Sequence, residues 1–423
     1  MSVRYTAPRG TQDVLPESCH LWQYVETRWR TVCHLYNYHE IRTPIFEETE
    51  LFTRSIGGGT DIVAKEMYTF EDRGGRSLTL KPEGTAPVVR AYLEHSLYAQ
   101  GGIQKLYYIT PIFRYERPQK GRYRQAHQFG AEIFGTEDPS ADAELLAMVM
   151  HFFGALGIPL DRLELQLNTI GCQECRPAYR EAIRQFGIQH GDQLCASCQA
   201  RLETNPLRIL DCKVPTCQAI TASAPPMDPY LCSACRTHFE QVQHLLKVLG
   251  VPYHRNPRLV RGLDYYTRTT FEVLAQGLGA QNAVCGGGRY DGLVEACGGP
   301  PTPALGVGIG IERTLMVMQA QGAPLPEPPT PKVYVVAMHD SARVPALQYV
   351  QQLRTAGIAC DLDLEARSPK AQMKRAHRSG ARYALLLGEE ELAQQTLTVR
   401  DLQTHEQYAV PEEEILRWLQ KAT

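Results

Sequence analysis

Polar and apolar residues alternate along 67–71 and 77–81, on either side of Asp72-Arg-Gly-Gly-Arg76. They alternate again along 106–116 and 125–134, on either side of a basic loop. Period-two alternation predicts strands, and the short polar breaks predict two hairpins. Residues 262–274, rich in aromatic and β-branched side chains, and residues 304–310 read as further strands. Helices are expected at 19–36 and 141–156. Hairpins with segregated helices point to an α+β core built on an antiparallel sheet. Half of Gly322-Ala-Pro-Leu-Pro-Glu-Pro-Pro-Thr-Pro331 is proline, which makes an extended, semi-rigid spacer. Beyond it, strands at 332–337, 358–364 and 383–387 alternate with helices at 342–356 and 369–379, the pattern of a small α/β domain. The expected organisation is a core at 1–170 and 256–321, interrupted by a Cys-rich insertion at 171–255 with a helical tail at 238–249. A spacer at 322–331 and a last domain at 332–423 follow.

The 423 residues are enough for two to three domains, and 43% apolar with 21% charged residues is ordinary globular composition. The N-terminal stretch carries Arg4, Arg9 and Asp13 without an apolar h-region, and no run approaches a membrane span. The expectation is a cytoplasmic protein with no membrane partner. A net charge of −2 leaves any nucleic-acid contact to local patches. Eight of the 13 cysteines lie between Cys172 and Cys235, which in such a chain favours metal or chance over a disulfide framework. Cys172-x-x-Cys175, Cys195-x-x-Cys198, Cys212-x4-Cys217 and Cys232-x-x-Cys235 supply four pairs, enough for two tetrahedral structural zinc sites. A nested arrangement is expected, outer pairs together and inner pairs together; thiols without metal are the plainer alternative.

Five segments could carry chemistry. Arg261-Gly-Leu-Asp-Tyr-Tyr266 crowds a cation, a carboxylate and two phenols onto an expected strand start. Alternation would put Asp264 and Tyr266 on one face, as in a polar pocket, although a buried Arg–Asp pair beside core tyrosines fits the same residues. In Phe113-Arg-Tyr-Glu-Arg-Pro-Gln-Lys-Gly-Arg-Tyr-Arg124, Arg114 and Glu116 share one strand face, as do Gln128, Gly130 and Glu132 on the returning strand. Arg117, Lys120, Arg122 and Arg124 occupy the loop with no acid among them to neutralise them. Such cations can clamp phosphate or touch nucleic acid, and a charge run alone is also what a solvated hairpin tip looks like. Ala304-Leu-Gly-Val-Gly-Ile-Gly-Ile-Glu-Arg313 puts three glycines on one face, bare backbone against which a planar ring could lie, with Arg313 at a helix start. It lacks the third glycine of the dinucleotide fingerprint, and there is no P-loop in the chain. Leu80-Lys-Pro-Glu-Gly-Thr85 offers a carboxylate and a hydroxyl, or only a turn with Thr85 as helix cap. Val284-Cys-Gly-Gly-Gly-Arg-Tyr-Asp-Gly292 leads a glycine run into Arg-Tyr-Asp.

Together these segments resemble bacterial histidyl-tRNA synthetases, class II enzymes, over nearly the whole chain. Motif 1 is similar to Ile41-Arg-Thr-Pro-Ile-Phe-Glu47, motif 2 to the 113–132 hairpin and motif 3 to 306–313. The 261–266 and 286–291 segments resemble the two signatures of the histidine enzyme. The resemblance implies a class II α+β catalytic core with a helical insertion and a C-terminal α/β anticodon-binding domain. It implies ATP-dependent attachment of L-histidine to tRNA(His) through a histidyl-adenylate. By the same resemblance Arg261 and Arg114 are the catalytic groups. Arg114, Glu116, Arg122, Arg313, Gly308 and Gly310 would hold ATP, with Mg2+ bridging phosphate oxygens. Glu83, Gly84, Thr85, Arg114, Gln128, Glu132, Arg261, Tyr265 and Tyr266 would hold histidine. Arg117 and Gln119 would meet the tRNA acceptor end, the six Lys/Arg of 367–382 the anticodon stem, and motif 1 a second copy in a homodimer. The competing expectation is a synthetase-like regulatory subunit of histidine biosynthesis, which binds histidine without charging tRNA. Such subunits typically lack the last domain and have eroded catalytic segments, both of which this chain keeps. Another class II specificity, glycine or threonine, is disfavoured by Tyr265, Tyr266 and the 286–291 signature.

Overall fold

The structure, a computed structural model, describes residues 5–57, 60–119, 121–279 and 282–422. They form two compact units, Met1–Pro326 and Glu327–Thr423. The first is built on an eight-stranded sheet of β1 (His39–Glu40), β5 (Gln104–Phe113), β6 (Gln125–Phe134), β7 (Leu163–Thr169), β8 (His254–Arg255), β9 (Thr267–Ala275), β10 (Ala283–Arg289) and β11 (Ala304–Gly310). Their spatial order is β1-β5-β6-β11-β10-β9-β7-β8, antiparallel throughout except for the short edge pairs β1/β5 and β7/β8. A smaller sheet joins β2 (Phe46–Glu48), β3 (Tyr68–Glu71) and β4 (Ser77–Leu80) in the order β2-β4-β3. Its hairpin turns where expected, with Asp72 Oδ1 accepting from the backbone N–H of Gly74 (2.8 Å) and Arg76 (2.9 Å).

Alternation along the central strands decides what faces where. Phe129, Ala131 and Ile133 of β6, Leu305, Val307 and Ile309 of β11, and Phe271, Val273 and Ala275 of β9 enter one apolar core. There they meet Trp29 of helix Pro16–Leu35 and Leu146 and Phe152 of helix Pro139–Ala155. Truncating a fully buried ring such as Phe129 to alanine should cost about 3–5 kcal/mol. The intervening residues, Gln128, Glu132, Glu272 and the glycines of β11, project from the opposite face. The hydrophobic alternation that builds the core therefore also aligns the polar residues.

Several boundaries differ from expectation. Residues 261–266 are not a strand start; β9 begins only at Thr267, because Gly262 and a turn at Asp264 break the ladder. β5 stops at Phe113, so Arg114 and Glu116 lie just past its end. β7 and β10 add strands at Leu163–Thr169, an alternating run, and at Ala283–Arg289, where three glycines obscure the pattern. The insertion is helical (Arg176–Gln189, Ala196–Thr204, Pro215–Thr221, Ser233–Val248). Its last helix sends Phe239, Val242 and Leu246 into the main core.

The second unit carries β12 (Val333–Ala337), β13 (Cys360–Leu362), β14 (Tyr383–Leu387), β15 (Thr396–Asp401) and β16 (Gln407–Pro411), in the order β13-β12-β14-β15-β16. The first three are parallel, and helices Arg343–Thr355 and Pro369–Arg378 follow β12 and β13 as the alternating pattern requires. The antiparallel β15/β16 hairpin was not anticipated.

Candidate functional site

The polar face of the main sheet borders a cavity of about 530 Å³. Its wall includes Arg114, Glu116, Arg122, Gln128, Arg261, Glu272, Gly308, Gly310 and Arg313. Arg114 is steered by its Nε, which donates to the Pro82 carbonyl at 2.7 Å. Its guanidinium stands 3.9 Å from Glu116, and Arg122 reaches the same carboxylate at 3.4 Å. Among the described residues, buried Gln128 Oε1 has no hydrogen-bond partner and Glu116 Oε2 has only the Arg122 ion pair, uncommon states that a ligand donor would relieve. Arg313 donates from Nε to the Gly121 carbonyl (3.0 Å) and from its terminal nitrogen to the Ala283 carbonyl (2.5 Å), and burial pulls its pKa down.

Arg261 lies across β10. A Cβ at Gly286 would stand 2.3 Å from its guanidinium, so the glycine run leaves room for that cation. Arg261 donates to Glu272 at 2.7 Å, while its Nε is buried with no hydrogen-bond partner among the described residues. Burial opposes the charge, but the Glu272 carboxylate more than offsets it and holds the pKa above the usual arginine value.

Beside the cavity is a buried cluster centred on Glu132. It accepts from Tyr290 (2.5 Å), Tyr108 (2.9 Å) and Thr85 (2.9 Å). Burial raises its pKa, the three hydroxyls pull it back, and the balance lies at about 8. Glu83, also buried and also raised by burial, accepts from the backbone N–H of Thr85 and Ala86, both at 2.7 Å. Glu83 thus caps the helix Thr85–Glu94, the part expected of Thr85, whose hydroxyl instead goes to Glu132. Gly84 admits the Tyr108 ring, which a Cβ there would meet at 2.3 Å. Tyr265 packs on Tyr266 (4.8 Å between centroids) and edge-on to Tyr290 (5.6 Å).

Some expectations need correcting. Asp264 does not share a pocket face with Tyr266; it turns to the insertion, where Asn205 Nδ2 donates to it at 2.6 Å. The bare faces of Gly306 and Gly308 are not open to a ring. Side chains from β6 cross them, and a Cβ would lie 1.6 Å from Glu132 Oε2 and 1.7 Å from Gln128 Nε2. The basic loop is not free of acids, since Arg122 pairs with Glu116, and Arg124 stacks over the Tyr115 ring at 3.9 Å. Arg117 and Gln119 are exposed, and Lys120 lies outside the described residues. Sequence reasoning missed Tyr108, Glu272 and Tyr290 individually; Tyr290 sat inside a quoted signature, and the other two gave no signal beyond an alternating strand. Arg289 of that signature is wholly buried in an ion pair with Asp142 (2.6 Å), away from the cavity.

The cysteines converge as two groups of four: Cys172, Cys175, Cys232 and Cys235, and Cys195, Cys198, Cys212 and Cys217. In each, the four Sγ atoms lie within 4.8 Å of one another. In the second unit, Arg382 is bound by Asp401 (2.7 Å), and Arg367 and Arg375 by Glu365. Lys370, Lys374 and Arg378 have no acid within ion-pair distance among the described residues and follow one another every fourth position on helix Pro369–Arg378.

Comparison with known proteins places this geometry. A family model described as histidyl-tRNA synthetase matches residues 10–198 and 213–314, and one described as anticodon binding domain matches 332–422. A histidine–tRNA ligase of Pelotomaculum thermopropionicum is 51% identical over 416 residues, 98% of this chain and 97% of that protein. The crystal structure of apo histidyl-tRNA synthetase from S. aureus superposes with a TM-score of 0.84 at 39% identity, covering 99% of this chain and 100% of that one. A Bacillus halodurans protein titled as an ATP phosphoribosyltransferase regulatory subunit/histidyl-tRNA synthetase shares the fold at 20% identity, with a TM-score of 0.63 over 89% of this chain and 97% of its own.

Proposed function

The chain belongs to the histidyl-tRNA synthetase family, and on that premise we propose how its residues divide the reaction. The enzyme attaches L-histidine to tRNA(His) using ATP. The histidine carboxylate attacks the α-phosphorus of ATP, the bond to the bridging oxygen breaks, and pyrophosphate leaves. The terminal ribose hydroxyl of tRNA then attacks the acyl carbon of the adenylate, and AMP leaves.

Two anions must meet in the first step, and Arg261 is the group that brings them together. It sits where the cavity adjoins the Glu132 cluster, charged despite burial, with Nε unpartnered. That buried Nε, without a hydrogen-bond partner among the described residues, on a half-buried cation carries the assignment. Arg261 and Arg114 neutralise the carboxylate and the α-phosphate as charge develops. Arg122 and Arg313 hold the outer phosphates, Glu116 accepts from the adenine amino group, and Gly308 and Gly310 line the same cavity, Gly308 with its bare face covered by Gln128. ATP enters as its magnesium complex, and the Glu272 carboxylate on the same wall is an oxygen donor of the kind that cation takes. Glu83 and Glu132, with Thr85 and Gln128, receive the α-ammonium. Gly84 gives Tyr108 its place beside them, and Tyr265 and Tyr266 read the imidazole. A site whose polar groups are buried rejects isosteres that would leave them unpaired.

For tRNA, exposed Arg117 and Gln119 meet the acceptor end, and the Lys370–Lys374–Arg378 stripe meets anticodon-arm phosphates. Ile45 and Phe46 of the motif 1 segment and Phe70 of the same small sheet are exposed apolar residues that a homodimer would cover. Among the described residues no helix is long and apolar enough to cross a membrane. All 13 cysteines are unbridged, which fits the reducing cytoplasm. The two cysteine groups are closed structural zinc sites. Backbone N–H groups of Cys232 and Cys195 donate to the Sγ of Cys175 and Cys217, both at 3.2 Å, as suits thiolates.

The test is histidine-dependent exchange of pyrophosphate into ATP. Exchange is expected with histidine alone among the amino acids, and Arg261→Ala should lower kcat by on the order of 10²–10³-fold. Histidine binding without exchange by the intact protein would instead favour the regulatory-subunit reading.

A further inference from the structure

The catalytic segment 261–266 belongs to no strand, so no ladder fixes it. The core holds it through the Ile56 carbonyl, which accepts from the Asp264 N–H at 3.2 Å, and through Glu272 and Glu83; the remaining supports come from the insertion and begin beside the cysteines. Arg176 immediately follows Cys175, and its guanidinium donates to the Tyr266 carbonyl (3.0 Å) and the Asp264 carbonyl (3.4 Å). Gly171, one residue before Cys172, accepts from the N–H of Arg268 at 2.8 Å. From the other group, the chain between Cys198 and Cys212 carries Asn205, which grips the Asp264 carboxylate at 2.6 Å. It also carries Arg208, whose guanidinium would stand 3.1 Å from a Cβ on Gly262. Leu210, Asp211 and Cys212 then form part of the cavity wall.

The packing says the same. Val260 and Tyr266 are buried in the insertion's own apolar cluster, together with Cys175, Cys198, Cys212, Cys217 and Cys235. The insertion has no sheet of its own, and a core this small is commonly completed by a metal.

We propose that the two four-cysteine sites, loaded with zinc, anchor residues 261–266, making amino-acid activation dependent on a metal bound in a region that touches no reacting atom. This rests on the zinc reading above. Binding exchanges the thiol protons of each group for one Zn2+ held by four thiolates, and a chelator reverses it. Asn205 and Arg176 are then positioning residues: they act through Arg261, Tyr265 and Tyr266.

The test uses purified full-length enzyme with thiols kept reduced. Zinc is measured per chain and then withdrawn with a pyridyl chelator selective for zinc over magnesium. Pyrophosphate exchange and binding of a non-hydrolysable ATP analogue are followed throughout. The starting enzyme should hold two zinc ions. Their loss should lower kcat by on the order of 10²-fold while the analogue's Kd moves less than about threefold, and added zinc should restore the rate. Asn205→Ala should keep both ions and still lower kcat by about tenfold, because it cuts the tether and spares the anchor. Exchange that survives full zinc loss, an Asn205→Ala variant with unchanged kcat, or loss of analogue binding together with activity would each overturn the proposal. An enzyme isolated without zinc would do so too. Histidine-dependent exchange by the starting enzyme tests the synthetase reading separately from all of these.

Discussion

The two halves of the cleft meet at Arg261 and are built in opposite ways. On the side proposed for the amino acid, Glu83, Thr85, Tyr108, Glu132 and Tyr290 are linked to one another by hydrogen bonds, and both carboxylates are buried. On the side proposed for the nucleotide the cavity is half-open, Arg114, Arg122 and Arg313 line it, and Glu116 is held only by long ion pairs. A small ligand that must be distinguished from its neighbours needs a rigid, satisfied frame that an impostor would leave unpaired. A polyphosphate needs mainly charge, which tolerates looser geometry. Discrimination should therefore reside in the buried half and affinity for ATP in the open one.

Substitutions can break that division. Glu132→Gln should do most, raising the KM for histidine by about 10²-fold with little change for ATP, since it removes a buried carboxylate that receives a charge. Its raised pKa adds a sign. Against an ordinary 4.5, a folded value of about 8 means the empty folded protein keeps a proton that the unfolded chain loses. That contribution to stability is complete below about 4.5 and lost as pH rises through about 8, a slope that thermal melts of Glu132→Gln should lack. Histidine binding at pH 7 should release that proton, visible by calorimetry in buffers of different ionisation enthalpy.

Gly286→Ala tests the junction itself. The added methyl would force the Arg261 guanidinium aside, and kcat should fall by tens of fold with both KM values nearly intact, again by pyrophosphate exchange. Arg122→Ala should raise the KM for ATP by about tenfold and leave histidine alone, completing the contrast. The smallest effect belongs to the second unit. Lys374→Ala should weaken tRNA binding a few-fold and reduce the slope of log K against log salt by about one, with exchange unaffected. A filter-binding salt series reads both.

How much of this was legible in the chain depended on whether a residue's neighbours lay close in sequence. The β5/β6 and β3/β4 hairpins, β11 and the α/β pattern after the spacer follow from local alternation, and their positions held to within a few residues. The motif residues Arg114, Glu116, Gln128 and Arg313 do reach one cavity. What local pattern could not reveal were partners from distant strands. Glu272 is one turn of alternation along a strand that looked purely structural, and only the fold sets it against Arg261. Asp264 looked like a site residue because its neighbours were; its partner, Asn205, lies 59 residues away in the insertion. The glycines of β11 were read correctly as bare backbone, but what they accommodate was set by register with β6, which pairs Gly306 with Glu132.

That register also bears on how such a site can change over time. Gly306 and Gly308 have no side chains to contribute, and the space above them is filled by Glu132 and Gln128 of the adjacent strand. The floor of the amino-acid half is therefore written almost entirely in β6, while β11 serves as its blank margin. A lineage that shifted its amino-acid preference would have to revise β6, and any side chain acquired by β11 first would close the route by displacing the very groups under revision.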